Sequence, residues 1–343
     1  MAAKNLHRKS RWALLLLVVL LVAATIVNAG QTTRETQGED IYYSWVEGQR
    51  LLAGENPYAR VLTGNMRENQ KYATYFPLFY ILSAASQIAG LRDYPQWVSA
   101  WRIVFTLFDL AIGVLVFWLL YRRQLVLAAL FGAAFWLFNR WTLHVVQVAH
   151  MDFITIFLFL LSLALFDRHR STSLLLLSFS LAIKQIAVFT IPLYLIWTWQ
   201  AAKPERAVRD LGQAVLLIAS VPVIVSLPFL VWNAEGLVKS VVFSATRFPA
   251  DHFGAPSVDG LLGWIGIPAK APMLIMMALA YGLAWRRQVG LYIGALFVMA
   301  SFVDFNSVLF RQYLAWVVPL LPLVLVDVVD GRLQFPTARE PGV

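Results

Sequence analysis

Residues 99–124 read SAWRIVFTLFDLAIGVLVFWLLYRRQ, and this stretch decides the fold. From Ser99 to Tyr121 the run is almost wholly apolar, and it closes on Arg122-Arg123. About 20 apolar residues in a helix cross the roughly 30 Å hydrocarbon core of a bilayer. A basic pair directly after such a run marks a cytoplasmic loop. Asp109, in the middle of the run, reads as a structural intramembrane carboxylate or as part of a polar cavity. Comparable runs recur at 12–28, 125–140, 152–167, 171–183, 186–200, 211–232, 271–285, 289–304 and 313–329. The pattern predicts an all-α polytopic membrane protein with about 10 transmembrane helices. Composition agrees: 59% of the 343 residues are hydrophobic and 14% charged, against about 25% charged in a soluble domain. Mean hydropathy is +0.66.

Charge sets the orientation. With the N-terminus inside, the inner segments hold Lys4, Arg8, Lys9 and Arg11; Arg122 and Arg123; Arg168 and Arg170; Lys203, Arg206 and Arg209; Arg286 and Arg287; and Arg332 and Arg339. Against them stand Asp167, Glu205, Asp210, Asp327, Asp330 and Glu340. The alternation holds only if the apolar segment 74–90 is a re-entrant or interfacial helix, because a crossing there would put Arg122-Arg123 outside. The whole chain, 1–343, then reads as one integral membrane domain. A cytoplasmic tail and first span (1–28) precede a first outer loop (29–98) and spans two to seven (99–232). A second outer loop (233–270), spans eight to ten (271–329) and a cytoplasmic tail (330–343) follow. Lys4 to Arg11 before Trp12–Asn28 resembles a signal peptide with a small-residue site near Ala29-Gly30. Its length and the spans that follow favour an uncleaved anchor. The expected location is the bacterial inner membrane, with the active face extracytoplasmic.

A net charge of +9 reads as orientation signals and lipid head-group contacts rather than nucleic-acid binding. The 13 Trp, 12 Tyr and 23 Phe suit aromatic belts at two interfaces. There is no Cys, which excludes thiol catalysis and leaves the redox compartment open.

Chemistry concentrates in the loops expected outside. Long ordered loops are usually functional. In the first, residues 41–53 read as an amphipathic helix, either lying on the membrane surface or packing on its neighbours, with Glu47 and Arg50 on its polar side. Gly38-Glu39-Asp40 precedes it. Asp40 reads as a helix N-cap or as a general base at the membrane surface, with Glu39 in reserve. Three further clusters converge on the same face: Arg140, His144, His150 and Asp152; Lys184-Gln185; and Asp304-Phe305-Asn306 with Arg311-Gln312-Tyr313. Basic residues there suit a phosphate or pyrophosphate, and the aromatics suit a sugar or a polyprenyl chain. His144 and His150 lie six apart, with no HExxH or other close ligand spacing. No metal or cofactor is therefore assigned, and a divalent ion has no spacing to support it. No Walker loop, GxSxG or Rossmann glycine pattern is present.

The order of short motifs is Asp40-Ile41-Tyr42-Tyr43, Leu52-Ala53-Gly54-Glu55-Asn56-Pro57-Tyr58, Tyr75-Phe76-Pro77-Leu78 and Asp109. Ala149-His150-Met151-Asp152 and Ala182-Ile183-Lys184-Gln185 come next, then Asn306 and Arg311-Gln312-Tyr313-Leu314-Ala315-Trp316. Over about residues 12–329 this resembles the GT-C superfamily of membrane glycosyltransferases. In particular it resembles the catalytic subunit of GPI mannosyltransferase I and bacterial relatives that use polyprenyl-phosphate sugars. The resemblance implies an inverting transfer of a sugar, mannose first, from a polyprenyl-phosphate donor to a hydroxyl of a lipid-linked or glycan acceptor. Asp40 matches the family's first-loop catalytic acidic residue, the expected general base. Lys184, Arg311 and Arg140 would contact the donor phosphate. His150, Asp152, Gln185, Gln312, Tyr313, Tyr58 and Tyr75 would line the cavity. The departure is Gly38, where relatives of the mannosyltransferase subunit carry the first Asp of an acidic pair. Two other readings stay open: a transporter or flippase of a lipid-linked sugar, and a non-catalytic subunit of a polysaccharide assembly complex.

Overall fold

In a computed structural model the apolar run 99–121 lies within one 28-residue helix, Tyr94–Tyr121. The structure describes residues 2–32, 34–66, 72–243, 257–264, 266–306 and 308–331, with side chains from residue 11 onward except that of Ile267. Lys4, Arg8, Lys9, Arg332, Arg339, Glu340 and the middle of the second outer loop thus lie outside the described residues or side chains. The described residues are all-helical, with no strand among them.

The helices run as α1 (Ala2–Gln31), α2 (Asp40–Leu52), α3 (Leu78–Ile88), α4 (Tyr94–Tyr121), α5 (Val126–Phe138), α6 (Arg140–Val148), α7 (Asp152–Leu165), α8 (Arg170–Ile183), α9 (Ile191–Ala201), α10 (Ala207–Phe243), α11 (Val258–Leu261), α12 (Ala271–Trp285), α13 (Leu291–Phe305), α14 (Arg311–Leu314) and α15 (Leu320–Val329). Three stretches are long and apolar enough to cross a membrane: Arg11–Gln31, Tyr94–Tyr121 and Pro204–Phe243. A fourth qualifies if α5 and α6, bent by 42°, count as one span. Among the described residues, helix length and composition do not support the expected count of about ten spans. Helices α7 and α8 have 14 residues each, α13 has 15 and α15 has 10. At 1.5 Å per residue, 14 residues rise roughly 21 Å, short of the bilayer core. An apolar run in a sequence does not distinguish a spanning helix from one buried among other helices.

Local chemistry explains the breaks. Asn139 caps α6 by accepting from the Trp141 and Thr142 amides at 3.0 Å each, while its Nδ2 donates to the Phe135 and Trp136 carbonyls that end α5. One side chain thus satisfies both helix ends at the bend. The expected span 186–200 begins instead as a 3-10 turn, Gln185–Thr190, before Pro192 opens α9. The second outer loop begins later than expected, because α10 resumes after a kink at Asn233 (φ −161°, ψ 86°) and runs to Phe243. Asn233 Oδ1 accepts from the Gly236 amide at 2.8 Å, restarting the helix.

Helix α3, with 11 residues, is too short to cross. It packs against α2, which buries Ile41, Ser44, Glu47 and Gly48. Glu47, read from sequence as a polar-face residue, is buried between Arg50 (3.0 Å) and Arg60 (2.8 Å). Burial raises its carboxyl above the ordinary range, and the two guanidinium groups oppose that shift.

The basic loops gather at one end of the bundle. Arg123 donates to Asp330 at 2.8 Å, joining the ends of α4 and α15. Arg287 donates to the Gln200 carbonyl at 3.1 Å, joining the ends of α12 and α9. Asp327 accepts from the Tyr292 and Ile293 amides at 2.8 Å each, at the N-terminus of α13. The charged residues singled out for chemistry lie at the opposite helix ends.

Candidate active site

Asp40 is the first residue of α2, with Glu39 at the N-cap. The expected capping role therefore does not fall on Asp40. Gly38 turns the chain into the helix at φ +87°, a conformation that glycine adopts freely and an aspartate would strain. The preceding loop is fastened down: Thr36 Oγ1 meets the Tyr94 hydroxyl at 2.5 Å, and Arg102 Nη2 donates to the Arg34 carbonyl at 2.9 Å. Glu39 points away toward Arg34, 3.4 Å distant at the surface.

From Asp40 a line of alternating charges runs inward. Its Oδ2 accepts from the Tyr75 hydroxyl at 3.2 Å and lies 3.3 Å from His150 Nε2. On the other side of the ring, His150 Nδ1 lies 2.9 Å from Asp152 Oδ2. That distance is a charged contact outside good hydrogen-bond alignment, since neither atom makes a well-directed bond. Asp152 Oδ1 accepts from Lys184 Nζ at 2.8 Å and from Trp316 Nε1 at 2.9 Å. Side-chain exposure falls from 38% at Asp40 to 2%, 0% and 1% at His150, Asp152 and Lys184. Only the first group of the line meets solvent.

Burial is the largest influence on His150 and opposes its charge, and Lys184 adds to that opposition. The Asp152 and Asp40 carboxylates outweigh both and hold the imidazolium above its ordinary range. Burial, reinforced by Asp40, drives the Tyr75 hydroxyl well above the ordinary phenol range. Tyr75 therefore stays a proton donor to Asp40. Ala149 sets the ring's position: it closes α6 in the left-handed region (φ 52°, ψ 57°) and is buried. Non-glycine residues adopt that conformation uncommonly.

Lys184 is not the free cation expected for a donor phosphate. It is paired with Asp152 and held between the Tyr75 and Tyr313 rings, 5.3 and 5.6 Å from their centroids. Tyr58, expected to line the cavity, has no exposed surface. It is fully buried with Tyr80 and Phe229, and its hydroxyl donates to the Tyr75 carbonyl at 2.7 Å. Gln185 donates to the Thr74 carbonyl at 2.7 Å, so it shapes the strand of chain that carries Tyr75. Arg140 and Arg311 open α6 and α14, which pack together, and both are exposed. Arg311, Arg34 and His150 all act electrostatically on His144, giving the rim a basic side. Gln312 is half-buried beside Arg311, and Asp304 is exposed at the end of α13. Trp316 stood in the sequence motif without a role, and its bond to Asp152 shows what the indole does. Among the described residues no group of three or more His, Cys, Asp or Glu gathers to hold a metal ion. No family model matches the chain, and no curated protein matches it.

Proposed function

We propose that this chain is a membrane glycosyltransferase of the GT-C type, moving a sugar from a polyprenyl-phosphate donor to an acceptor hydroxyl at the extracytoplasmic face. One observation carries the reading: a solvent-facing carboxylate, Asp40, is held by a tyrosine and a histidine at the end of a buried ladder of charges. A sugar phosphate already contains a good leaving group, so the chemistry lacks a base more than an acid. Asp40 takes the proton of the acceptor hydroxyl as its oxygen bonds to the anomeric carbon. The bond from that carbon to the phosphate oxygen breaks, and the polyprenyl phosphate leaves with the electron pair. Inversion follows from attack opposite the leaving group. Arg311 and Arg140 are the exposed cations for the phosphate, while Lys184 and Asp152 act from behind by fixing His150.

The test is incubation of the purified protein with a panel of polyprenyl-phosphate sugars and acceptors. Asp40→Asn is expected to keep donor binding and lose turnover by at least about 10², and Glu39→Gln to lose much less. A fully active Asp40→Asn would overturn the reading. The second reading is a flippase of a lipid-linked sugar, favoured by the bent pair α5–α6, since interrupted helices are a transporter feature. In that case labelled lipid crosses vesicles containing Asp40→Asn as fast as those containing wild type, and no sugar is transferred by either.

A further inference from the structure

A second cleft of about 670 Å³ lies between α1 and α4, apart from the Asp40 ladder. At one end it is polar, bordered by Arg34, Glu35, Thr32 and Ser99, and at the other it is apolar, bordered by Leu107 and Leu110. From Ser99 to Leu110 the floor extends roughly 16 Å along the helix. Ile103 and Leu107, on the wall, are 65% and 62% exposed, so the cleft opens on the lipid-facing side of a spanning helix.

Arg102 lines this cleft at 8% exposure. Its Nη2 donates to the Arg34 carbonyl at 2.9 Å and reaches the Gln147 carbonyl at 3.5 Å. Its Nη1 is buried without a hydrogen-bond partner. Among the described residues no carboxylate pairs with this guanidinium. A buried charge without a counter-charge is costly, and at membrane depth it marks a site that something else completes. The missing group is an anion that presents oxygens to a guanidinium and brings an apolar tail to lie along Leu107 and Leu110.

We infer that the cleft holds one bilayer phospholipid, its phosphate at Arg102 and Arg34 and the upper part of one chain along α4. The volume admits a head group and part of a chain, with the remainder in the bilayer beside Ile103. The site is also joined to the catalytic loop, since Arg102 holds the Arg34 carbonyl while the Arg34 side chain pairs with Glu39, the neighbour of Asp40. The inference stands whether or not the protein transfers a sugar.

The experiment is lipid titration of the purified, delipidated full chain, read by native mass spectrometry and by melting temperature. The probes are phosphatidylglycerol, diacylglycerol and inorganic phosphate. Wild type is expected to retain one phosphatidylglycerol, melt higher with it, and bind it about tenfold tighter than diacylglycerol. Arg102→Gln should lose that preference. Thr106→Phe fills the cleft and leaves the guanidinium in place, so it should lose the bound lipid while still folding. Equal binding of diacylglycerol, an equal shift with inorganic phosphate alone, or undiminished phosphatidylglycerol binding by Thr106→Phe would each overturn the proposal.

Discussion

His150 is the residue at which the charge ladder responds to pH. Its folded proton affinity lies above that of a free imidazole because a carboxylate faces each ring nitrogen. The sign follows from linkage. The stabilisation is fully present below the unfolded value near 6.5 and is lost as pH rises through the raised folded value. Melting wild type beside His150→Gln from pH 5.5 to 9 should show the largest wild-type advantage at the acid end, shrinking as pH rises. A gap that widened with pH would mean that the ring is neutral in the fold. Much of this site was legible in the sequence: Asp40, His150, Asp152, Lys184 and Tyr313 stood out by residue type and Tyr75 through the family resemblance, and the structure brings them together. Their roles were not legible. That Lys184 faces inward to Asp152 rather than outward to a ligand depends on a β-region backbone after α8 (φ −152°, ψ 122°), which no spacing rule reveals. Gly38 is similar: a departure from a family pattern in the sequence, it is a left-handed turn in the structure.

At the scale of the element, the break between α5 and α6 aims the chain that carries His150. Asn139 accepts from two amides of α6 and donates to two carbonyls of α5, and it also donates to the Thr142 hydroxyl at 2.7 Å. Asn139→Ala removes all of these and should destabilise by about 1–2 kcal/mol, the upper range for loss of an N-cap, measurable as a lower melting temperature in detergent. Turnover should fall with it, since Arg140 begins the helix that Asn139 caps. Asn139→Asp retains the acceptor but loses the bonds to the Phe135 and Trp136 carbonyls, so it should recover only the part of the stability that the cap supplies. The sequence reading placed a span at 125–140 and missed this device. An apolar run predicts helix, and a single capping asparagine redirects it without altering the run. α2 shows the converse. Its helix was evident from the spacing of Ile41, Trp45 and Leu52, but Glu47 is buried because Arg50 and Arg60 both reach it.

For the whole molecule, the distribution of charge makes a topological statement that chemistry can test, because the chain has no cysteine of its own. Arg92 and Arg122 flank α4 at opposite ends, and both are exposed. In intact cells an impermeant maleimide should label Arg92→Cys at once and Arg122→Cys only after permeabilisation. Labelling of Arg122→Cys but not of Arg92→Cys in intact cells would reverse the orientation and move Asp40 to the cytoplasm.

The uneven helix lengths reach beyond the protein. α4 has 28 residues and α12 only 15, yet α12 turns Leu274, Ile275, Met276 and Leu279 outward. Its apolar stretch of roughly 22 Å is shorter than a hydrocarbon layer about 30 Å deep. A short helix is accommodated by thinning of the surrounding lipid, at a fraction of a kcal/mol per Å. If α12 borders lipid through its whole length, the bilayer is expected to be thinner beside α12 than beside α4. A protein so placed would impose a thickness gradient on its surroundings, and that is open to measurement. Reconstituted in lipids of decreasing acyl length, it should work fastest in chains shorter than those of the average bilayer. In thick membranes it should cluster, so that neighbouring copies share one deformed patch rather than each bending its own.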